Sequence, residues 1–376
     1  MTSAVATDVV IVGAGIVGAA CADVLTREGL SVTVVESRGI GHGATAAGMG
    51  HLVVMDDSEA QFALTRYSVD LWRELADEFP ADVEFDPCGT LWVAADEEEM
   101  NAVRAKHDFY AKRNVATEIL DPHQLALVEP NLRPGLAGGL RVPGDCVLYP
   151  PTAARALFDR ARQRGAKMVH GEVVSLTGTS VHLKDGTRFS APHTINAAGI
   201  LSPRLTIEAD VRPRKGHLII TDRYPKFVNH QIIELGYLKS AHSVSADSVA
   251  FNVQPRKTGQ ILIGSSRQYG SDDPTVEHPI LRRMIRRAVA YMPDLARLSV
   301  VRAWTGFRPS TPDKLPLVGP APSDPNLLLA TGHEGLGITT SLGSARLIAD
   351  HILNRPPRIP IDPYLPGRFA KEPAHA

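Results

Sequence analysis

Cysteine is scarce. Cys21, Cys88 and Cys146 are the only three in 376 residues, too scattered for a disulfide framework and without CxxC or Cys/His metal spacing. That usage suits a reducing compartment, with Cys21 as a packed thiol inside a helical pattern. Excess charge is lacking as well. Forty basic against 41 acidic residues leave a net charge of −1, so nothing in the balance asks for nucleic acid or an anionic membrane. Only residues 282–287 (RRMIRR) concentrate positive charge; they read as a solvated helix face, with a docking surface as the alternative. No apolar run reaches spanning length, and no basic stretch precedes the first apolar one as in a signal peptide. The expected place is the cytoplasm, or a peripheral seat at the inner membrane reached through an electron acceptor, without a transmembrane segment. Internal repeats and low-complexity tracts are absent. So are a nucleophile triad, a metal-ligand cluster and paired catalytic carboxylates. The chemistry therefore falls to a bound cofactor that the protein positions.

What is present is concentrated at the start. Residues 8–36 read DVVIVGAGIVGAACADVLTREGLSVTVVE. Residues 9–12 form a buried strand and 16–28 a helix closed by Gly29, with a second strand over 32–35. The turn Gly13-Ala14-Gly15-Ile16-Val17-Gly18 sits between the first strand and the helix, and Glu36 ends the second strand. In that context Gly13 allows the tight turn, Gly15 lets backbone approach a pyrophosphate, and Gly18 lets the helix lie close to the strand. The helix N-terminus offers N–H groups and positive dipole charge to phosphate. Glu36 accepts from ribose hydroxyls and disfavours a 2′-phosphate, which points to FAD or NAD rather than NADP.

Beyond Ser37, residues 39–50 (GIGHGATAAGMG) form a small-residue loop that can lie against something flat or charged, and His51 follows it. Residues 58–79 predict an amphipathic helix capped by Ser58, with Phe62, Tyr67, Leu71, Trp72, Leu75 and Phe79 as its core stripe and Leu64 slightly off it. Strand signals follow over 83–95, a charged helix over 97–113, a short helix over 121–128 and turn-rich strands over 137–149. A helix over 150–164 leads to one strand over 167–174, a hairpin around Asp185-Gly186, and a buried strand 194–199 that returns to the parallel sheet. From 211 the pattern turns antiparallel, with a hairpin 249–254/260–265, a helix 279–291 and a strand 298–307. An apolar strand 326–330 and the glycine turn 331–337 (TGHEGLG) enter a helix over 338–353. The proline-rich stretch 355–369 reads as an extended surface arm.

A dinucleotide cradle at one end and a glycine-rich strand–turn–helix at the other suggest a ligand touched from both ends of the chain, which suits FAD better than a nicotinamide. The positive start of the last helix can stabilise negative charge on a reduced flavin ring. Arg308, at a strand end between Phe307 and Pro309, offers a rigid fork for a carboxylate; the alternative is a structural pairing with Asp313.

Taken together, VVIVGAGIVGAACA, GATAAGM, INAAG, WTGFRPSTPDKLPLVG and TGHEGLGITTSLGSA resemble the D-amino acid oxidase and glycine oxidase family of FAD-dependent amine oxidoreductases across nearly the whole chain. The likeness is greatest to glycine oxidase-like enzymes, including D-hydroxyproline dehydrogenases and the catalytic subunit of hydrogen cyanide synthase. The run GATAAGMGHLVVMDDSEAQFALTRYS leans towards the D-hydroxyproline branch. The resemblance implies an α/β fold: a Rossmann-like FAD-binding domain (1–85, 145–210 and 300–376) and a substrate domain on a mostly antiparallel sheet (86–144 and 211–299). It places Gly13, Gly15, Ile16, Val17, Gly18, Glu36 and Ser37 on the ADP half of FAD. Ala44, Thr45, Ala47, Gly48 and Met49 line the pyrophosphate and ring, Val174 the adenine, and Ala198 and Gly199 the ADP moiety. Gly332, Gly335, Leu336, Gly337 and Ile338 meet the isoalloxazine. Arg308 matches the family arginine that binds the substrate carboxylate. Two departures bear on the substrate: Asn252 stands near the position of a family tyrosine, and Gly335 replaces a basic residue. His51 and Asn252 are then the candidates to recognise a hydroxyl or an amine. The implied reaction is oxidation of a small D-amino or imino acid, with cis-4-hydroxy-D-proline or D-proline foremost, by hydride transfer from Cα to flavin N5. The alternatives are a glycine or sarcosine oxidase, or the flavin-bearing subunit of a hetero-oligomeric amine dehydrogenase that needs partner chains.

Overall fold

A computed structural model describes residues 7–236 and 247–369. Val9–Val12 is the middle of a six-stranded sheet. It lies between Val32–Glu36 and His193–Asn196, all parallel, with Lys167–His170 at one edge and the hairpin Asp324–Thr331/Leu317–Ala321 at the other. The continuous apolar run VVIV is explained by cover on both faces. Val9 and Ile11 pack into a core with the helices Ile16–Arg27, Pro150–Gln163 and Gly337–Ile352. Val10 and Val12 face a three-stranded antiparallel sheet through Leu176, Val181 and Leu183.

The second sheet has eight strands in the order Val300–Ser310, Arg212–Thr221, Ile261–Tyr269, Ser248–Pro255, Gln231–Glu234, Thr90–Ala94, Gly138–Val142, Glu118–Leu120. It is antiparallel except where Gln231–Glu234 meets Thr90–Ala94. Phe251 and Val253 point at the helix His278–Tyr291, where Phe251 stacks on Tyr291 at 4.6 Å. Asn252 and Gln254, alternating with them, point to the opposite face.

Several expectations are corrected. Val300–Ser310, placed from the sequence in the FAD-binding half, is the edge strand of the eight-stranded sheet, because it pairs along its length with Arg212–Thr221. The stretch 167–174 is two strands in two sheets: Lys167–His170 pairs with Val32–Glu36, and Val173–Leu176 pairs with Ser180–Leu183. No strand fills 83–89; Ala81–Val83 is a 3₁₀ turn and the strand begins at Thr90. In Glu59–Glu74, capped by Ser58 as expected, Trp72 of the expected stripe is buried, and so is Leu75 just after the helix, but Phe62, Tyr67 and Leu71 are only partly buried, and the rest of the buried face is Gln61, Leu64, Thr65, Ser68 and Val69. Gly343 of the last helix sits against Leu64 and Ser68, so this face is chosen by close helix approach. The proline-rich stretch is not an extended arm, since it coils into two 3₁₀ turns and buries Tyr364, whose hydroxyl donates to Ala60 O at 2.6 Å. The RRMIRR cluster is only partly solvated: Arg287 is ion-paired with Glu234, whose side chain is buried.

Asp145 is buried beside the short pairing of His51–Leu52 with Cys146–Val147, and its Oδ1 accepts from Val54 N–H at 3.2 Å. Burial, outweighing the hydrogen bond from Val54, the nearby Thr90 hydroxyl and the charges of Arg73 and Lys106, pushes its carboxyl up to about 7. Between about pH 4 and 7 the folded state therefore holds a proton that the unfolded chain has lost, and stability falls as pH rises. Asp145→Asn removes this penalty. Thermal unfolding should show its stability relative to the unsubstituted protein improving from pH 4.5 to pH 8, by at most about 4 kcal/mol at roughly 1.4 kcal/mol per pKa unit. A difference that does not change with pH would show the carboxyl to be an ordinary one.

Candidate active site

The turn after Val9–Val12 is closed by its glycines. Gly13 has φ +104°, and a Cβ on it would stand 2.6 Å from Ala197 O. A Cβ on Gly18 would overlap the Gly13 carbonyl. Gly15 precedes the helix with no side-chain cap of its own, while Thr45 Oγ1, from the small-residue loop, accepts from Ile16 N–H at 3.0 Å. Glu36 Oε2 accepts from Ala14 N–H at 2.8 Å and Oε1 from Arg38 N–H at 2.7 Å. A carboxylate has about four acceptor positions, so lone pairs remain for two hydroxyls. Ser37 is exposed in the following turn, and Val17 is half-buried in the first helical turn. Gly171 N–H donates to Glu36 O at 2.9 Å, which carries the chain past Glu36 towards Val174, an exposed position on Val173–Leu176. Ala198 and Gly199 follow the strand His193–Asn196; Thr331 Oγ1 donates to Gly199 O at 3.1 Å and joins this glycine turn to the last.

Residues 44–49 are wedged between the large sheet and the last helix. Ala44–Ala47 is a single helical turn. Trp304 Nε1 donates to Ala47 O at 3.4 Å, and a Cβ on Gly306 would overlap Ala47. A Cβ on Gly48 would be 2.8 Å from Ile338 Cδ1, and Met49 Sδ lies 3.1 Å from where Gly264 would carry one. Gly332 turns with φ +74°. Leu336 then precedes Gly337–Ile352, a helix of 16 residues with no side-chain cap.

The third component is a face of the eight-stranded sheet. Arg308 leaves Val300–Ser310 and lies over Gly216 of the neighbouring strand, where a Cβ would stand 2.9 Å from its Cζ. Its Nη1 donates to Ser266 O at 3.0 Å, and its Cδ and Nε lie 3.5 Å from the Cβ position of Gly335. Asp313, the partner offered by the sequence alternative, is ion-paired with Arg368. On the same face Gln254 donates from Nε2 to Met49 O at 2.7 Å. It also stands beside His51, whose carbonyl accepts from Thr339 Oγ1 at 2.8 Å. Burial lowers His51 to about 4, reinforced by the charge of Arg308 and opposed by the neighbouring Gln254 side chain. His51 is thus neutral through the physiological range. His51 Nε2, Asn252 Oδ1 and Gln254 Oε1 are buried without hydrogen-bond partners among the described residues. Buried polar atoms left this way are costly, and three on one face next to an arginine are what a polar ligand would complete. Gln254 was missed from the sequence; its signal was the two-residue spacing from Asn252, which puts both on one face of a strand.

These features fit a dinucleotide carrying a flat ring. The Gly13/Gly18 turn leaves no room for side chains, an acid stands at the second strand end, and an uncapped 16-residue helix begins beside residues 44–49. Gly13, Gly15, Gly18, Thr45 and Glu36 would hold the ADP half, and Gly48, Met49 and residues 335–338 the ring. Among the described residues no group of three or more His, Cys, Asp or Glu is placed to hold a metal, and no helix is long and apolar enough to cross a membrane.

Comparison with known proteins agrees with this geometry. Residues 8–351 match the DAO family, FAD dependent oxidoreductase. The chain is 28% identical to the hydrogen cyanide synthase subunit HcnC of Pseudomonas aeruginosa, over 98% of this chain and 97% of the relative. It is 28% identical to the glycine oxidase of the same species, over 96% and 98%. The crystal structure of glycine oxidase from Geobacillus kaustophilus superimposes with a TM-score of 0.86 at 25% identity, covering 97% of this chain and 99% of that one.

Proposed function

The chain belongs to the DAO family of FAD dependent oxidoreductases, and from that premise we propose that it oxidises a small D-amino or imino acid to the imine, with D-proline or cis-4-hydroxy-D-proline as substrate. The observation that carries this reading is the Arg308 guanidinium lying in the notch left by Gly216, on the sheet face that also presents Asn252 and Gln254 beside neutral His51.

Arg308 binds the substrate carboxylate as a planar fork and fixes Cα with respect to the ring site. Neutral His51 and the Asn252 carbonyl oxygen give the other end of the substrate uncharged partners, suited to a secondary amine or a ring hydroxyl. A neutral amine is the reactive form, and an uncharged His51 does not oppose it. Bound FAD supplies the acceptor for the hydride that leaves Cα. Among the described residues no side chain of the site is placed as a strong base, and the reaction needs none once the amine is neutral. Positioning supplies much of the acceleration.

Anaerobic bleaching of the flavin with glycine, sarcosine, D-alanine, D-proline and cis-4-hydroxy-D-proline tests the reading. The two cyclic substrates should bleach fastest. A yellow protein unchanged by all five would overturn the substrate class. Bleaching by glycine or sarcosine alone would favour the glycine oxidase alternative, which the likeness to that enzyme supports. The likeness to HcnC, a subunit of hydrogen cyanide synthase, supports a second reading in which this chain passes electrons through partner chains. In that case turnover with an artificial dye by the purified chain should be slow beside turnover by the assembled complex.

A further inference from the structure

Glu334 sits in the loop that closes the site, directly after His333, with φ +54°, a left-handed conformation uncommon outside glycine and asparagine. Its N–H donates to Pro309 O at 2.8 Å. Its carboxylate is ion-paired with Arg214, and both side chains are less than a tenth exposed. Arg214 also donates from Nη1 to the Tyr269 hydroxyl at 3.0 Å, with its guanidinium 5.5 Å from the centre of that ring. In the antiparallel ladder Arg214 stands directly opposite Arg308, so two arginines leave the same face of the sheet as neighbours. Consecutive residues of one loop meet them: Glu334 covers Arg214 with a carboxylate, and Gly335 lies against Arg308 without a side chain.

We propose that Glu334 is a specificity-determining residue. By occupying Arg214 it withholds that guanidinium from a carboxylate held at Arg308 and confines the enzyme to monocarboxylic amino and imino acids. A second carboxylate on the substrate would meet the Glu334 carboxylate where little water screens it, and rejection by like charge is a direct route to specificity. Glu334→Gln keeps the shape, removes the charge and leaves Arg214 a buried cation without its counter-ion, ready to receive a second carboxylate. The proposal rests on the reading of Arg308 as carboxylate anchor.

The test uses the FAD-loaded protein and two unreactive probes, propionate and glutarate, titrated by their effect on the flavin spectrum and by calorimetry. The unsubstituted protein should bind propionate at least as tightly as glutarate. Glu334→Gln should shift the ratio of the two dissociation constants tenfold or more towards glutarate. The double variant Arg214→Met/Glu334→Met should return the ratio to its original value. A merely structural ion pair predicts that both affinities fall together, so an unchanged ratio in Glu334→Gln overturns the proposal. Should that variant not fold, Glu334→Asn, which also removes the charge at a left-handed position that asparagine tolerates, must move the ratio about threefold in the same direction, and no movement overturns it equally. Arg308→Ala separates the two readings: propionate binding that survives it overturns the anchor, and the gate with it, whereas propionate binding that depends on Arg308 beside an unmoved ratio overturns the gate alone.

Discussion

Arg308→Ala is expected to weaken binding of carboxylate substrates roughly 10²–10³-fold. A hydrogen bond to a charged group is worth about 1.5–3 kcal/mol, a planar guanidinium makes two to one carboxylate, and each 1.4 kcal/mol is a factor of ten. The half-buried position of Arg308, which leaves water to screen part of the interaction, keeps the estimate in the lower half of that sum. The loss should divide between the two kinetic constants. KM rises because the carboxylate loses its partner, and kcat falls because Cα is no longer held over the ring site. Gly216→Ala is the informative companion. Its added methyl would overlap Nη1 of Arg308 and approach its Cζ to 2.9 Å, but those atoms are the flexible end of a long side chain. The protein should therefore fold with its FAD while the guanidinium is pushed from its notch, giving a smaller loss in the same direction. Stopped-flow bleaching across substrate concentrations measures both variants. An Arg308→Ala protein with unaltered KM and kcat would end the anchor assignment, and a Gly216→Ala protein with native kinetics would show that the notch does not set the position of the arginine.

The parts of the molecule that were legible in the sequence are those decided locally. The strand–glycine turn–helix at residues 9–27 follows from apolar runs, glycine spacing and one acid at a strand end, and the structure returns it nearly residue for residue. The helix cap at Ser58 is local in the same way. Sheet membership is not local. The strand Val300–Ser310 carries no mark saying that it will pair with Arg212–Thr221 some 90 residues earlier in the chain rather than join the parallel sheet. Nor does the Val173–Leu176 segment announce that it leaves the sheet of the Lys167–His170 strand. On Glu59–Glu74 the buried Trp72 was legible, but Ser68 was not, because aromatic residues outweigh it on any hydrophobic count, while the space facing Gly343 admits only a small residue. The same holds in the site. Arg308, His51 and Asn252 stood out by residue type, and the structure brings them to one region. Gln254 and the Glu334–Arg214 pair did not stand out, since their meaning comes from cross-strand register and from a loop some 120 residues away in sequence.

Gly18→Ala should give a protein that no longer retains FAD and unfolds at lower temperature. The reason is steric. Gly18 lies within the helix Ile16–Arg27 and needs no unusual backbone angle. A methyl there would overlap the Gly13 carbonyl, which is backbone and cannot rotate away. Gly13 has no slack of its own: a Cβ on it would lie 2.6 Å from Ala197 O, and its N–H is bonded to Val35 O at 2.9 Å. Relief must come from moving the helix off the strand, which opens core contacts around Ala14 and Ala19. Overpacking in such a place costs about 1–3 kcal/mol and more where backbone must shift. The same movement pulls the helix N-terminus away from the phosphate position, so the stabilisation that bound FAD gives by mass action is lost as well. Gly29→Ala isolates the conformational part of the effect. Gly29 has φ +86°, but nothing lies within 4 Å of its Cβ position. It should cost about 1–2 kcal/mol from the left-handed backbone alone and keep its flavin. The measurements are the flavin-to-protein absorbance ratio after purification and the thermal midpoint. One FAD per chain and a native midpoint in Gly18→Ala would mean that the dinucleotide does not lie on this turn.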